Sequence, residues 1–124
     1  MSRSSTGPAQ DVTGTDFDFR VARKIGTTKL DHAFTDLRRE ADGLAWVRLS
    51  GGGLRTAMWM DANQGWLQVF TSDPLEEELR RAAVAVEPMT CPPNAFVSGE
   101  DLVALQPKES HTSRWGIRAE LTGR

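Results

Sequence analysis

The side chain best placed for proton-transfer chemistry is Glu87, which follows an apolar run ending at Val86 and precedes Pro88. Successive side chains of an extended strand point to opposite faces, so Val84 and Val86 share one face while Ala85 and Glu87 share the other. Proline cannot donate a ladder hydrogen bond, so we expect the strand to end near the glutamate. A carboxylate there can reach a ligand, and partial burial would make it a better general base. The alternative is a solvated glutamate at an ordinary strand end.

The other reactive residue types give weaker signals. Asp31 suits a turn or capping position. His32 directly follows it and would point to the opposite face of an extended strand. His111 lies in a polar loop, where a solvated surface histidine is expected, and Cys91 has no histidine at a useful spacing, so an inert thiol is expected. No cluster has the spacing of metal ligands, so neither a metal nor a cofactor is expected.

The elements that would position these side chains are short strands. Apolar runs broken by turn residues recur at fairly regular spacing, which is typical of an all-β, antiparallel β-sandwich or barrel. A glycine-rich connection at 51–53 favours a β-hairpin between the first two runs. The predicted strands are residues 44–49, 54–61, 66–71, 82–86, 102–105 and 115–121.

Two segments could be helical. Residues 73–81 are the stronger candidate, because Asp73 suits the N-cap, Pro74 suits the first helical position, and glutamates precede arginines in the order that a helix dipole favours. Residues 36–41 are charged and short, and they predict a single helical turn at most.

Composition limits the class of protein. The 124 residues fit one domain, and 15 Lys and Arg against 17 Asp and Glu argue against a general nucleic-acid or acidic-membrane binder. A single cysteine indicates a reduced, cytoplasmic protein, and no stretch is long and apolar enough to span a bilayer. Residues 1–15 offer little to bury and predict a flexible leader, with the domain proper at 16–124.

Four segments, in order, carry a family resemblance. Residues 30–37 (LDHAFTDL), 66–71 (WLQVFT), 85–96 (AVEPMTCPPNAF) and 105–110 (LQPKES) resemble segments of aldose 1-epimerases. The third segment resembles the part of those enzymes that bears the catalytic glutamate. The second segment resembles the strand that precedes that part. The fourth segment resembles the closing Pro-Gly-Glu turn of the family. Lys108 stands where the family usually has glycine, so the turn could have a different conformation in this chain. The similarity extends from about Val12 to Ile117.

The resemblance implies a fold, a reaction and site residues. The fold would be half of a galactose mutarotase-like supersandwich, and the reaction would interconvert the α and β anomers of a hexose or related sugar. Glu87 matches the catalytic base, which works together with an acid, usually histidine. Asp31 matches an aspartate that hydrogen-bonds sugar hydroxyls, with the turn or capping role as an equal alternative. The tryptophans are assigned to core packing by default, the alternative being that one stacks on a sugar.

The chain also departs from the family. Members are typically more than twice as long, and their N-terminal half supplies the acid histidine, a second histidine and an arginine. The resemblance assigns neither His32 nor His111 the role of the acid. Half of the sandwich would leave unpaired strand edges, which predicts self-association or pairing with a separate N-terminal half. Three functions stay open: an incomplete epimerase, a non-catalytic carbohydrate-binding or remnant module, and a β-rich assembly subunit.

Overall fold

The computed structural model describes the backbone of residues 2–4 and the whole of residues 7–122. The chain forms two antiparallel sheets, which we call sheet A (order β2-β1-β3-β6-β7) and sheet B (order β4-β5-β8). The elements in chain order are β1 Ser2–Ser4, β2 Gln10–Asp11, β3 Asp31–Thr35, β4 Ala45–Gly51, β5 Leu54–Met60, β6 Trp66–Phe70, β7 Ala85–Met89, α1 Ala95–Ser98 and β8 Trp115–Leu121.

The two sheets share an apolar core. One buried cluster joins Ala45, Met58 and Met60 of sheet B to Leu67 of sheet A. A second cluster of buried residues extends the core along sheet A: Val12, Leu30 and Phe34. The predicted all-β, antiparallel sandwich is therefore confirmed. No helix of the described residues is both long enough and apolar enough to cross a membrane.

The glycine-rich connection forms the predicted hairpin. β4 and β5 pair from Ala45↔Met60 to Gly51↔Leu54, which leaves Gly52 and Gly53 as a two-residue loop. Their φ angles are 58° and 78°. Positive φ at both central positions characterises the turn that matches strand twist, and glycine adopts it without steric cost.

The helix predicted over residues 73–81 is wrong, because that segment is a series of turns. The carboxylate expected to cap it, Asp73, instead accepts hydrogen bonds from the Thr71 hydroxyl and from Arg81 Nη1. Leu75 and Leu79 are 39% and 57% exposed, so a helix here would have no apolar face to bury.

One smaller prediction is wrong, because residues 102–105 run as a loop instead of a strand. Residues 36–41, for which one helical turn at most was expected, form none. β7 ends near Glu87, as expected, but it continues through Pro88 to Met89. Proline is tolerated there because β7 is an edge strand of sheet A.

The N-terminal residues take part in the sheet. β1 pairs with β2 and with β3, and Val12 is 1% exposed within the core. The part of segment 1–15 that the structure describes thus contributes strands and a core side chain. The division between a leader and a domain at residue 16 stays a prediction.

Candidate functional site

Three polar side chains form a row across one face of sheet A. Gln68 of β6 lies directly opposite Glu87 of β7 and directly opposite Ala33 of β3. Asp31 lies two residues before Ala33 and so shares its face. Neighbouring strands are about 4.8 Å apart, so the two carboxylates are separated by roughly 10 Å, with the amide of Gln68 between them. We call Asp31, Gln68 and Glu87 the polar row.

The register of sheet A is fixed by its opposite face. The alternate residues Leu67, Val69 and Val86 pack with the core cluster that joins the two sheets. Moving a strand by one residue would carry these side chains out of the core. Core packing therefore determines that Gln68 and Glu87 face outward, and the predicted separation of Val86 from Glu87 is confirmed.

Gln68 is not among the residues predicted from the sequence, yet it carries the hydrogen bond that links two members of the row. Its Nε2 donates to Asp31 Oδ1 at 2.8 Å. A carboxylate only accepts, so this bond fixes the orientation of the amide. Gln68 Oε1 is buried and has no hydrogen-bond partner among the described residues. The signal was present in the sequence, because Gln68 alternates with apolar residues that fill the core.

The start of β3, which carries Asp31, is attached to the end of β6 by a buried threonine. Thr71 is 2% exposed. Its hydroxyl accepts from the Leu30 N–H at 2.9 Å, and its own N–H donates to Leu30 O at 2.9 Å. The same hydroxyl donates to Asp73, and this bond together with Arg81 lowers the pKa of the Asp73 carboxyl. These contacts fix the position of Asp31 relative to Gln68.

Glu87 itself is exposed. The partial burial that we expected for it is therefore not found in this chain. An exposed carboxylate on a sheet face can still accept a proton from a bound hydroxyl, but nothing among the described residues excludes water from it.

His32 does not lie on the face of the polar row. His32 belongs to the alternate set of β3, as predicted, and its ring meets Phe17 edge-on at 4.8 Å between centroids. Its Nδ1 accepts the Asp31 N–H at 3.1 Å. His111 is exposed in the loop before β8. The register of β3 thus turns the His32 imidazole away from the face that carries Glu87.

One tryptophan does share the face of the row. Trp66 precedes Gln68 by two residues and is 2% exposed. Its Nε1 donates to Asp101 Oδ2 at 2.8 Å, which attaches the segment after α1 to this side of sheet A. Trp46 and Trp59 lie opposite one another on sheet B, and Trp115 is 55% exposed. Core packing, the default assignment, therefore holds for Trp66 but not for Trp115.

The remaining candidates stand apart from the row. Cys91 is a half-buried free thiol in the loop after β7. Within residues 7–122 no three His, Cys, Asp or Glu side chains are grouped as metal ligands would be. A cleft of about 440 Å³ lies on the core side of sheet A, against Phe34, Val69 and Val86, and so does not adjoin Glu87.

The Pro-Lys-Glu turn keeps the backbone that glycine would adopt. Lys108 has φ 72°, and Glu109 N–H donates to Gln106 O at 3.0 Å. With Pro107 at its second position and a positive φ at its third, the turn has the features of type II. The lysine is therefore accommodated in a left-handed conformation, and no different turn results.

The comparisons with known proteins agree with this arrangement. The sequence model of the family described as Aldose 1-epimerase matches residues 2–118. The uncharacterized protein YihR of Escherichia coli (strain K12) is 38% identical over 96 residues, which are 77% of this chain and 29% of that protein. The chain thus spans less than a third of that relative's length. No solved structure matches significantly. By its family match over nearly the whole sequence, the chain belongs to the aldose 1-epimerase family.

Proposed function

We propose that this chain carries the base-bearing part of a sugar 1-epimerase site, which interconverts the α and β anomers of an aldohexose or a related sugar. The observation that carries the proposal is the polar row, in which two carboxylates flank an oriented amide on one face of three neighbouring strands. In this role Glu87 is the general base, Asp31 accepts from a sugar hydroxyl, and Gln68 orients Asp31.

The reaction needs one base and one acid. Glu87 takes the proton of the anomeric O1 hydroxyl while the acid protonates the ring oxygen, so that the C1–O5 bond breaks and an aldehyde forms. Rotation about C1–C2 and the reverse proton transfers close the ring on the other face. No electron is gained or lost, so the proton transfers account for the whole reaction.

Gln68 supports a role in binding polyols by orienting Asp31. Its Nε2 donates to one oxygen of that carboxylate and leaves the other to accept from a sugar hydroxyl. Gln68 Oε1 is itself buried, so a ligand does not reach it in this conformation.

We expect the acid to come from a further polypeptide segment, because His32 faces away from Glu87 and the family resemblance gives His111 no such role. The segment that Asp101 attaches to Trp66 of β6 is suited to such a contact, because Phe96 and Val97 before it are 96% and 81% exposed and Leu105 after it is 52% exposed. Apolar groups left in water next to a polar site are typical of a surface that another polypeptide covers. We propose that an N-terminal half of the family fold supplies the acid, or that self-association completes the site.

Polarimetry on freshly dissolved α-glucose or α-galactose tests the proposal. The wild-type chain should add a small protein-dependent rate to the spontaneous one, and imidazolium buffer should increase that added rate by serving as a diffusible acid. In Glu87→Gln the added rate should fall by about 10²-fold or more, because a positioned base contributes about 10²–10⁴.

A second candidate function is a non-catalytic carbohydrate-binding or remnant module, which the exposure of Glu87 favours. It predicts that wild type and Glu87→Gln are equally slow in every buffer, while sugar still changes tryptophan fluorescence through Trp66. The absence of both rate and fluorescence changes would contradict a sugar site altogether and leave the assembly-subunit alternative.

A further inference from the structure

β8 is an edge strand with an exposed apolar side. It pairs with β5 and has no second neighbour among the described residues. Trp115, Ile117 and Leu121 are 55%, 63% and 88% exposed. They lie on the same face of sheet B as Met58 and Met60, which sheet A buries. The apolar face of sheet B therefore continues past the area that sheet A covers.

The free edge of β8 has a definite set of backbone groups. Asp61 N–H donates to Arg114 O at 3.0 Å, and Thr122 N–H donates to Gly53 O at 3.0 Å. Backbone groups alternate between the two neighbours along an antiparallel strand, so the even-numbered residues of β8 face β5. The N–H and C=O groups of Ile117, Ala119 and Leu121 therefore point to the open edge, where a further strand would pair with them.

The charges of β8 are self-complementary in one antiparallel register. Arg118 and Glu120 share the outer face, and Arg118 Nε contacts Glu120 Oε1 of the same strand at 2.6 Å. A two-fold axis at Ala119 would place Arg118 of one copy opposite Glu120 of the other, on both sides of the axis. It would also place Ile117 opposite Leu121, so the apolar side matches too.

The neighbouring registers do not have this property. An axis at Arg118 or at Glu120 would place like charges directly opposite each other, which is destabilising. An axis at Ile117 would place Arg118 opposite Gly116 and leave Leu121 beyond the paired strands. Registers shifted by one residue would bring the polar side of one strand to the apolar side of the other.

We propose that β8 is a homodimer interface, in which two copies of this chain pair β8 with β8 antiparallel about Ala119 and join their sheets B into one six-stranded sheet. The partner is a second copy, because the strand is complementary to itself in charge, in apolar side and in free backbone groups. The interface lies on sheet B, apart from the polar row, so the proposal does not depend on the sugar chemistry.

Sedimentation of the whole chain over about 10–300 µM tests the dimer, a range suited to a contact smaller than standard interfaces. Wild type should pass from monomer to dimer as concentration rises, and added salt should weaken the dimer because the ion pairs are exposed. Ala119→Pro should stay monomeric at every concentration. The N–H of residue 119 faces the open edge, so its loss leaves the hydrogen bonds between β8 and β5 intact. Ala119→Val, which keeps the N–H, should dimerise like wild type.

A charge exchange tests the register. Arg118→Glu alone and Glu120→Arg alone should each weaken dimerisation at least tenfold, because like charges would then face across the axis. An equimolar mixture of the two variants should recover a heterodimer, since the two glutamates of the first variant would face the two arginines of the second. Contacts within one strand cannot produce that recovery. A wild type that stays monomeric at about 300 µM, or a mixture that recovers nothing while both variants keep a native circular dichroism spectrum, would overturn the proposal.

Discussion

Replacing Gln68 by methionine should make the chain more stable and weaken the proposed sugar site. Gln68 Oε1 is buried without a partner, which costs about 1–3 kcal/mol in the folded state. The substitution removes that cost, and the unbranched thioether fills a similar length. It also removes the 2.8 Å bond to Asp31 Oδ1. Asp31 is exposed and regains water, so this loss is about 0.5–1.5 kcal/mol. The free energy of unfolding should therefore rise by about 1 kcal/mol.

Urea unfolding followed by tryptophan fluorescence, with and without sugar, measures both effects. Without sugar, Gln68→Met should raise the midpoint, equivalent to a gain of about 4 °C in melting temperature. With sugar present, the midpoint of wild type should rise because ligand binds only the folded state. That increase should be smaller in the variant, because Asp31 loses the amide that orients it.

Gln64→Met is the matched control. Gln64 is 5% exposed and its Oε1 is likewise unpaired among the described residues, but it lies in the turn before β6 and outside the polar row. Its substitution should raise stability by a similar amount and leave the effect of sugar intact. A fall of about 1 kcal/mol or more in Gln68→Met would refute the reasoning, because Oε1 would then have a partner in the folded chain.

Three further changes test local features of the fold. Lys108→Gly should raise the free energy of unfolding by roughly 1 kcal/mol in urea titrations, because φ 72° suits glycine; no gain would mean that the turn is not left-handed in solution. Gly116→Ala should lower the free energy of unfolding by about 1–3 kcal/mol, since the new Cβ would lie 2.5 Å from Trp59 Nε1. An unchanged melting temperature would show that the indole rotates away freely. The bond from Arg20 lowers the pKa of Asp18 to about 2. A lowered folded-state pKa gives stability that is present above the unfolded value of about 3.8 and is lost as pH falls towards 2. Asp18→Asn should therefore flatten the decline of the urea midpoint between these pH values. Parallel midpoint-against-pH curves for wild type and the variant would contradict the assignment.

The polar row shows which parts of the site a sequence can predict. The face of Glu87 followed from the alternation of valines before it, because core burial fixes that alternation in any strand that packs against a second sheet. Gln68 could have been found by the same argument, since it stands between Leu67 and Val69. That Asp31 adjoins Gln68 could not be derived in this way, because the pairing of β3 with β6 joins residues distant in sequence.

The segment predicted to be helical shows why local signals fail. Asp73 and the glutamates after it have the order of a helix start, and the propensity of each residue agrees. A short helix is stabilised mainly by burying an apolar face, and Leu75 and Leu79 have nothing to pack against. The carboxylate of Asp73 instead bonds to Thr71 and Arg81, which are tertiary contacts that a local pattern does not contain.

Sugar binding and sugar turnover should be separable in this chain. The groups assigned to binding, Asp31 and Gln68, are held by the register of sheet A and by the bond between them, and both depend only on described residues. Turnover requires in addition an acid opposite Glu87, which His32 does not supply because it lies on the other face of β3. A segment that delivers an acid would therefore change the rate far more than the affinity, because the acid acts only when the C1–O5 bond breaks. The β8 edge lies on the other sheet, so an association there would leave the polar row open to such a segment.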